Sequence, residues 1–369
     1  MLRPVVLDNG TRISKNGFAG EDEPRSAFPT LIGYPKYPTI VMHTYYSSRL
    51  IVGDEALALY DVLNLLYPMV RGTINNWEAM EKIWHYSLYS DLRIDPSEHP
   101  VLLTDRLSNT DQNRVKTAEI LFESFNIPAL HIANSSRLSL GATGLTTGLV
   151  VDIGAGGTDI VPIWENYVIW NSSRYFNIGG EDITYQLKEL ISQNKVQFLE
   201  WLDLELIRDI KERLCYVALE PTETIFSQEH IEKEYVLPDG EILTIGLERF
   251  QAPEILFNPP SSFKENSLAT KINEAILACD AEYDTLFYEN IVLTGGSTLL
   301  PGLEERLQKE LTELVPGHIT VRVRTFPHRM YSTWMGGAFL SSLASFEKFF
   351  FTKNDYQNSG PFGINNLRA

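Results

Sequence analysis

Cysteine is nearly absent from this chain: Cys215 and Cys279 are the only two in 369 residues. Neither belongs to a Cys-x-x-Cys pair or a Cys/His array, so there is no disulfide framework and no zinc signature, and a reducing compartment is expected. Runs of Lys and Arg are also missing. The formal charge is −17, from 31 basic against 48 acidic residues. That balance argues against electrostatic binding to nucleic acid or to an anionic membrane. No apolar segment approaches the ~20 residues of a membrane span, so membrane insertion is not expected. Met1-Leu2-Arg3-Pro4-Val5-Val6-Leu7-Asp8 reaches an aspartate too soon to hold a secretory apolar core. A soluble protein of the cytosol or nucleus is expected.

What is present is an ordinary globular composition, 44% hydrophobic with 11% aromatics, in a chain long enough for two domains or one large bilobed unit. It is organised around Leu149-Val150-Val151-Asp152-Ile153-Gly154-Ala155-Gly156-Gly157-Thr158-Asp159-Ile160-Val161. An apolar strand meets an Asp-x-Gly turn, and a second apolar strand returns. Such a hairpin tip puts a carboxylate beside unobstructed backbone N–H groups, which suits a metal-bound phosphate. Taken singly it is weak evidence, since Asp-x-Gly turns occur in ordinary hairpins. The same grammar opens the chain, however, at Val5-Val6-Leu7-Asp8-Asn9-Gly10-Thr11-Arg12-Ile13-Ser14-Lys15. An echo that occurs twice implies two related halves rather than a solenoid. A third signal, Ile291-Val292-Leu293-Thr294-Gly295-Gly296-Ser297, runs from a strand into a Gly-Gly bend and is expected to lead into a helix N-terminus.

Between these signals strands alternate with helices. Asn76 caps a helix from Trp77, Val101–Asp105 and Leu130–Ala133 are strands, and helices are expected at 109–125, 137–147, 179–193, 204–219 and 268–279. Leu237-Pro238-Asp239-Gly240 is a turn between strands. The stretch 36–50, with Tyr37, Tyr45 and Tyr46, is expected to be an exposed hairpin or loop with contact potential. The last helix places Phe339, Leu340, Leu343 and Phe346 on one face, expected to be mostly core, and Phe349, Phe350 and Phe351 leave room for a partner groove.

The surrounding words narrow the choice. Asp8-Asn9-Gly10, Gly17-Phe18-Ala19-Gly20-Glu21-Asp22, Val52-Gly53-Asp54-Glu55-Ala56, Met80-Glu81-Lys82-Ile83-Trp84, Glu98-His99-Pro100, Leu214-Cys215-Tyr216-Val217-Ala218-Leu219 and Trp334-Met335-Gly336-Gly337 are similar to actin. The resemblance runs from residue 5 to about 362 without a large insertion. It implies the α/β actin-type ATPase fold, two duplicated α/β domains in four subdomains around a central nucleotide cleft. The first lobe would be 1–138 with a small subdomain at about 31–68. The second would be 139–332 with a small subdomain at about 178–258, and 333–369 would return to the first. The cofactors implied are ATP or ADP with Mg2+ or Ca2+. Asp8 and Asp152 would hold the hydrated metal. Gly10, Thr11, Arg12 and Lys15 would face the β-phosphate side, and Gly154, Gly156 and Gly157 the γ-phosphate side. Lys211 and Glu212 would lie at the ribose and adenine, with Gly180, Gly295, Gly296 and Ser297 completing the nucleoside pocket.

Four departures fall on that pocket. Arg12 replaces a glycine and either crowds the phosphate turn or adds a bidentate phosphate donor. Ala155 replaces an aspartate, Ser135 replaces the glutamine that positions the attacking water, and Met330 replaces a lysine near the adenine. Ser135 and Ala155 thus occupy positions of lost catalytic-type groups, and no catalytic residue is assigned. Surface positions depart too: Arg71 stands for a modified histidine, Gly141 and Leu145 alter a groove, the 261–270 loop is polar and 220–233 is shortened. A divergent actin-related protein is the expectation: a cytoskeletal structural protein that binds nucleotide with residual or lost hydrolysis and works through filament or complex assembly. Its implied partners are actin or actin-related subunits and actin-binding proteins, with a larger cytoskeletal complex as a further candidate. The alternatives are an ATP-hydrolysing filament former and a nuclear scaffold subunit of a chromatin-remodelling complex.

Overall fold

Two runs of β-branched and leucine residues, each folded back on itself at glycine, seed two separate sheets. The computed structural model describes residues 2–36, 51–194, 203–221 and 231–367. The stretch containing Tyr37, Tyr45 and Tyr46, and most of 220–233, lie outside them. The chain divides into two compact units, Met1–Thr146 with Tyr331–Ala369, and Thr147–Met330.

In the first unit Val5–Asn9 pairs antiparallel with Ile13–Phe18, which pairs antiparallel with Ser26–Pro29. On its other side Val5–Asn9 runs parallel to Val101–Asp105, and that strand runs parallel to Ala129–Asn134. Phe351–Thr352 closes the edge of this six-stranded sheet. The central parallel strand, Val101–Asp105, is buried throughout, as a near-continuous apolar run should be. One face carries Val5, Leu7 and Leu103 against Met80, Ile83 and Trp84 of the helix Trp77–His85. The cap expected at Asn76 forms, its side chain accepting from Ala79 N at 2.9 Å. The other face carries Val6 and Leu102 against Leu138, Trp334 and Ala338. Trp334 is wholly buried, and its indole N–H donates to the Val6 carbonyl at 3.1 Å.

The second unit repeats the scheme. Gly148–Ile153 pairs antiparallel with Thr158–Trp164, and Arg174–Phe176 adds antiparallel to the latter. Gly148–Ile153 runs parallel to Ile291–Thr294, which runs parallel to Val323–Arg324. Strand order and sense are the same across five strands in each unit, which is the duplication the repeated hairpin implied. The core face carries Leu149, Val151, Ile153, Ile160 and Leu293 against Ile183, Leu187, Ile272, Leu303 and Leu307 from flanking helices.

Several local expectations are corrected. The helix expected to 219 is Leu204–Leu214, because the next residues bond elsewhere: Tyr216 N to Arg249 O at 3.2 Å and Val217 N to Pro301 O at 2.8 Å. The small-residue helix is Ser135–Ala142, earlier than expected, because Asn134 caps it by accepting from Arg137 N at 2.9 Å. The helix that follows the Gly-Gly bend does start at Leu303, as the sequence places it, and runs to Leu314, with a 3-10 turn, Gly296–Leu299, between bend and helix. In the last long helix, Ser332–Ser342, Phe339 faces outward and is 60% exposed, whereas Phe346 is buried. Phe350 and Phe351 are also buried, leaving Phe349 half-exposed.

Candidate functional site

The first hairpin brings Asp8, Gly10, Thr11, Arg12 and Lys15 together at its tip. Gly10 N–H donates to the Ile13 carbonyl at 3.1 Å, closing the turn. Asp8 and Lys15 are opposed in register, and Lys15 Nζ donates to Asp8 Oδ2 at 2.8 Å. The other carboxylate oxygen accepts from Thr104 Oγ1 at 2.7 Å, from the end of the neighbouring parallel strand. The carboxylate is thereby aimed and charge-compensated although only 6% exposed. Thr11 Oγ1 accepts from the backbone of Gly72 at 2.9 Å. Arg12 extends away from the turn to place its guanidinium 3.8 Å from the centroid of Tyr67, an arrangement that neither sequence-based option for this residue contained. Arg106, just past the strand Val101–Asp105, donates to the carbonyl of Arg71, so the 67–72 segment is tied both to the hairpin and to the end of the neighbouring strand. Thr104, Tyr67 and Gly72 carried no sequence signal, since each meets the turn only through the fold. Ser135, half-buried, is the first residue of the helix Ser135–Ala142 in this unit.

In the second unit Gly154, Ala155, Gly156 and Gly157 form the corresponding tip, with Gly154 N–H donating to the Gly157 carbonyl at 3.0 Å. This turn is held from behind by the start of the helix Gly180–Asn194. Gly180 N–H donates to the Gly154 carbonyl, and Glu181 N–H to the Ala155 carbonyl, both at 2.9 Å. Ser297 Oγ adds a third tie, to the Gly154 carbonyl at 3.0 Å. Lys211 is buried, and its Nζ donates to the Gly180 carbonyl at 3.0 Å. Glu212, next along the same helix, points to solvent. Gly154, Gly156, Gly157, Gly180, Lys211, Gly295, Gly296 and Ser297 therefore form one neighbourhood, with Glu212 at its margin.

Two glycines here are required by geometry. At Gly179 a Cβ would come within 2.4 Å of Gly157 N and 2.7 Å of Ala155 O, so only glycine lets the helix start back onto the turn. At Gly295 φ is +90, and a Cβ would come 2.4 Å from Asp152 Oδ1. Asp152 itself stands opposite Asp159 in the antiparallel register and beside Thr294 in the parallel one. Asp159 thereby joins the candidate residues, although its own stretch of sequence does not single it out. Its signal was available, because folding the hairpin at Gly154–Gly157 places 152 against 159.

These surroundings fit a nucleotide-bound divalent cation on chemical grounds: oxygen donors, a glycine-lined backbone, and a buried hydroxyl, Thr294 Oγ1, that is without a hydrogen-bond partner. No helix among the described residues is long and apolar enough to cross a membrane. Compared with known protein families, the chain matches the family model described as Actin over residues 2–366.

Proposed function

Because the chain belongs to the actin family, we propose that it binds ATP or ADP together with Mg2+ or Ca2+ and acts as an actin-related structural subunit with little or no hydrolysis. The observation that carries this reading is the second hairpin's tip. Its backbone is fixed by Gly180, Glu181 and Ser297, yet the side chain at its centre is the methyl group of Ala155. Gly154, Ala155, Gly156 and Gly157 would hold phosphate through a backbone set in advance, which lowers the ordering cost of binding. Asp152 would hold the hydrated cation, and Asp8 is the matching carboxylate of the first hairpin, with Lys15 beside it to counter phosphate charge. The bound cation would supply charge neutralisation at the phosphates.

Turnover asks for more than binding. An attacking water must be held in line, and the hydroxyl of Ser135 is too short to replace a glutamine amide in that task. A carboxylate is missing at 155 as well. If each loss removes ~2–4 kcal/mol of transition-state stabilisation, the two together slow hydrolysis by several powers of ten. The nucleotide then serves as an internal strut, and the work is done by surfaces that assemble with actin or actin-related subunits and their binding proteins in the cytoskeleton.

Analysis of nucleotide retained through purification, with sedimentation in the presence and absence of ATP and magnesium, tests this. Retained nucleotide without long autonomous filaments supports the strut reading. Filaments formed by the protein alone, with phosphate released as they grow, would favour an ATP-hydrolysing filament former, and stable recovery with chromatin-remodelling subunits would favour the nuclear scaffold.

A further inference from the structure

The registers of the second sheet align four polar side chains in one row. Thr294 lies beside Asp152, Asp152 opposite Asp159, and Asp159 opposite Tyr175, on four neighbouring strands. Residues paired in register share a face, and this face is the one turned away from the core. Leu149, Val151, Ile153, Ile160, Phe176 and Leu293, which alternate with the row, all belong to the apolar cluster. The row lies where the parallel strands Gly148–Ile153 and Ile291–Thr294 end, the place where open α/β sheets receive ligands.

Two features of the row suit a cation. Like charges directly opposite on paired strands are unfavourable, yet Asp152 and Asp159 are so placed and Asp159 is only 6% exposed. Beside them, Thr294 Oγ1 is 1% exposed by residue and has no hydrogen-bond partner, a cost that an oxygen-seeking ion or its water would remove. We infer that Asp159 is a cation-holding residue, which together with Asp152 and the Thr294 hydroxyl binds the hydrated divalent metal. Asp159 stands on the returning strand opposite Asp152, so it serves the ion and leaves the position of Ala155 at the turn without a carboxylate. This inference deepens the proposed nucleotide site and rests on it for the ion's accompanying phosphate.

The test is terbium luminescence, with competition by Mg2+ and Ca2+, on the full chain with and without ATP, beside thermal unfolding in EDTA. Asp159→Asn should weaken the cation by about tenfold or more, since ligand charge count sets affinity at oxygen sites. Its unfolding midpoint in EDTA should be no lower than that of the parent, because one of two opposed charges is gone. Thr294→Val, close in shape, should weaken the cation a few-fold, and Ala155→Asp added to Asp159→Asn should recover affinity. Unchanged cation affinity in Asp159→Asn would overturn the inference. So would a loss of affinity matched by a lower midpoint in EDTA, which would assign Asp159 to the fold. The two readings separate cleanly: cation binding that depends on Asp159 without any nucleotide binding retains this inference and defeats the nucleotide reading. Nucleotide and cation binding indifferent to Asp159 does the reverse.

Discussion

Substituting Gly179 by alanine tests how the phosphate-type turn is built. The new Cβ would meet Gly157 N at 2.4 Å, Ala155 O at 2.7 Å and Gly157 Cα at 2.8 Å. All three are backbone atoms of the turn and cannot rotate aside, so the turn or the helix start must move. Overpacking of this kind costs ~1–3 kcal/mol. The alanine regains ~0.4–1 kcal/mol by restricting the unfolded chain, which leaves a net loss of about 1–2 kcal/mol. For a unit of this size that lowers the unfolding midpoint by about 3–6 °C. Gly180→Ala is the control. Its Cβ would meet Ser297 Oγ at 2.4 Å, but that hydroxyl can swing away at the cost of its bond to the Gly154 carbonyl. The helix gains ~1 kcal/mol from alanine, so stability should stay near that of the parent. Thermal unfolding and titration with a fluorescent ATP analogue measure both effects. Gly179→Ala should melt lower and bind nucleotide at least about tenfold more weakly, as expected when a preset backbone is displaced. A Gly179→Ala protein that melts and binds like the parent would refute the packing argument.

Other perturbations have equally definite signs. Arg12→Lys and Tyr67→Leu should each cost ~1 kcal/mol, and the double variant no more than the larger single loss, since both remove one stack; additive losses in a denaturant series would contradict this. Arg114→Met should cost ~3–5 kcal/mol in the same series. It strands Asp105, whose buried carboxyl accepts from Arg114 Nε at 2.7 Å and whose pKa is raised by desolvation. A loss under ~1 kcal/mol would contradict the role of that pair. His131 is enclosed by the rings of Phe346 and Phe350, with its ring nitrogen 2.9 Å from the Phe349 carbonyl. Burial lowers its pKa to about 4. The unfolded chain therefore takes up a proton that the folded chain refuses below about pH 6.5. The stability from this residue is complete above that pH and is lost as pH falls toward 4, by at most ~3 kcal/mol. His131→Gln should flatten this part of the pH–stability curve, and an unchanged curve would contradict it.

The hairpins at 5–18 and 149–161 were legible because strand alternation and glycine turns are local, and their repetition exposed the duplicated plan. The helix overrun past Leu214 arose because Tyr216 and Val217 find backbone partners at Arg249 and Pro301, which no local pattern records. Phe339 was misplaced for a related reason. A helical stripe shows that one face is apolar, but the contacts of Trp334 and Ala338 with Leu138 decide which part of it is covered. The site divided in the same way. Its glycines and Asp152 were legible by motif, and Asp159 was recoverable by counting across the turn. Gly179 had no signal, since its requirement comes from a turn more than twenty residues earlier. Arg12 was recognised as unusual, but its stack on Tyr67 needed the fold.

The central claim is that nucleotide is held and hardly turned over. Single-turnover phosphate release from the ATP-loaded protein tests it most directly, with the Ser135→Gln/Ala155→Asp double variant run alongside. Retained ATP and negligible phosphate from the parent, with release rising in the variant, is the predicted result. Phosphate release from the parent at the rate of a conventional actin would contradict it.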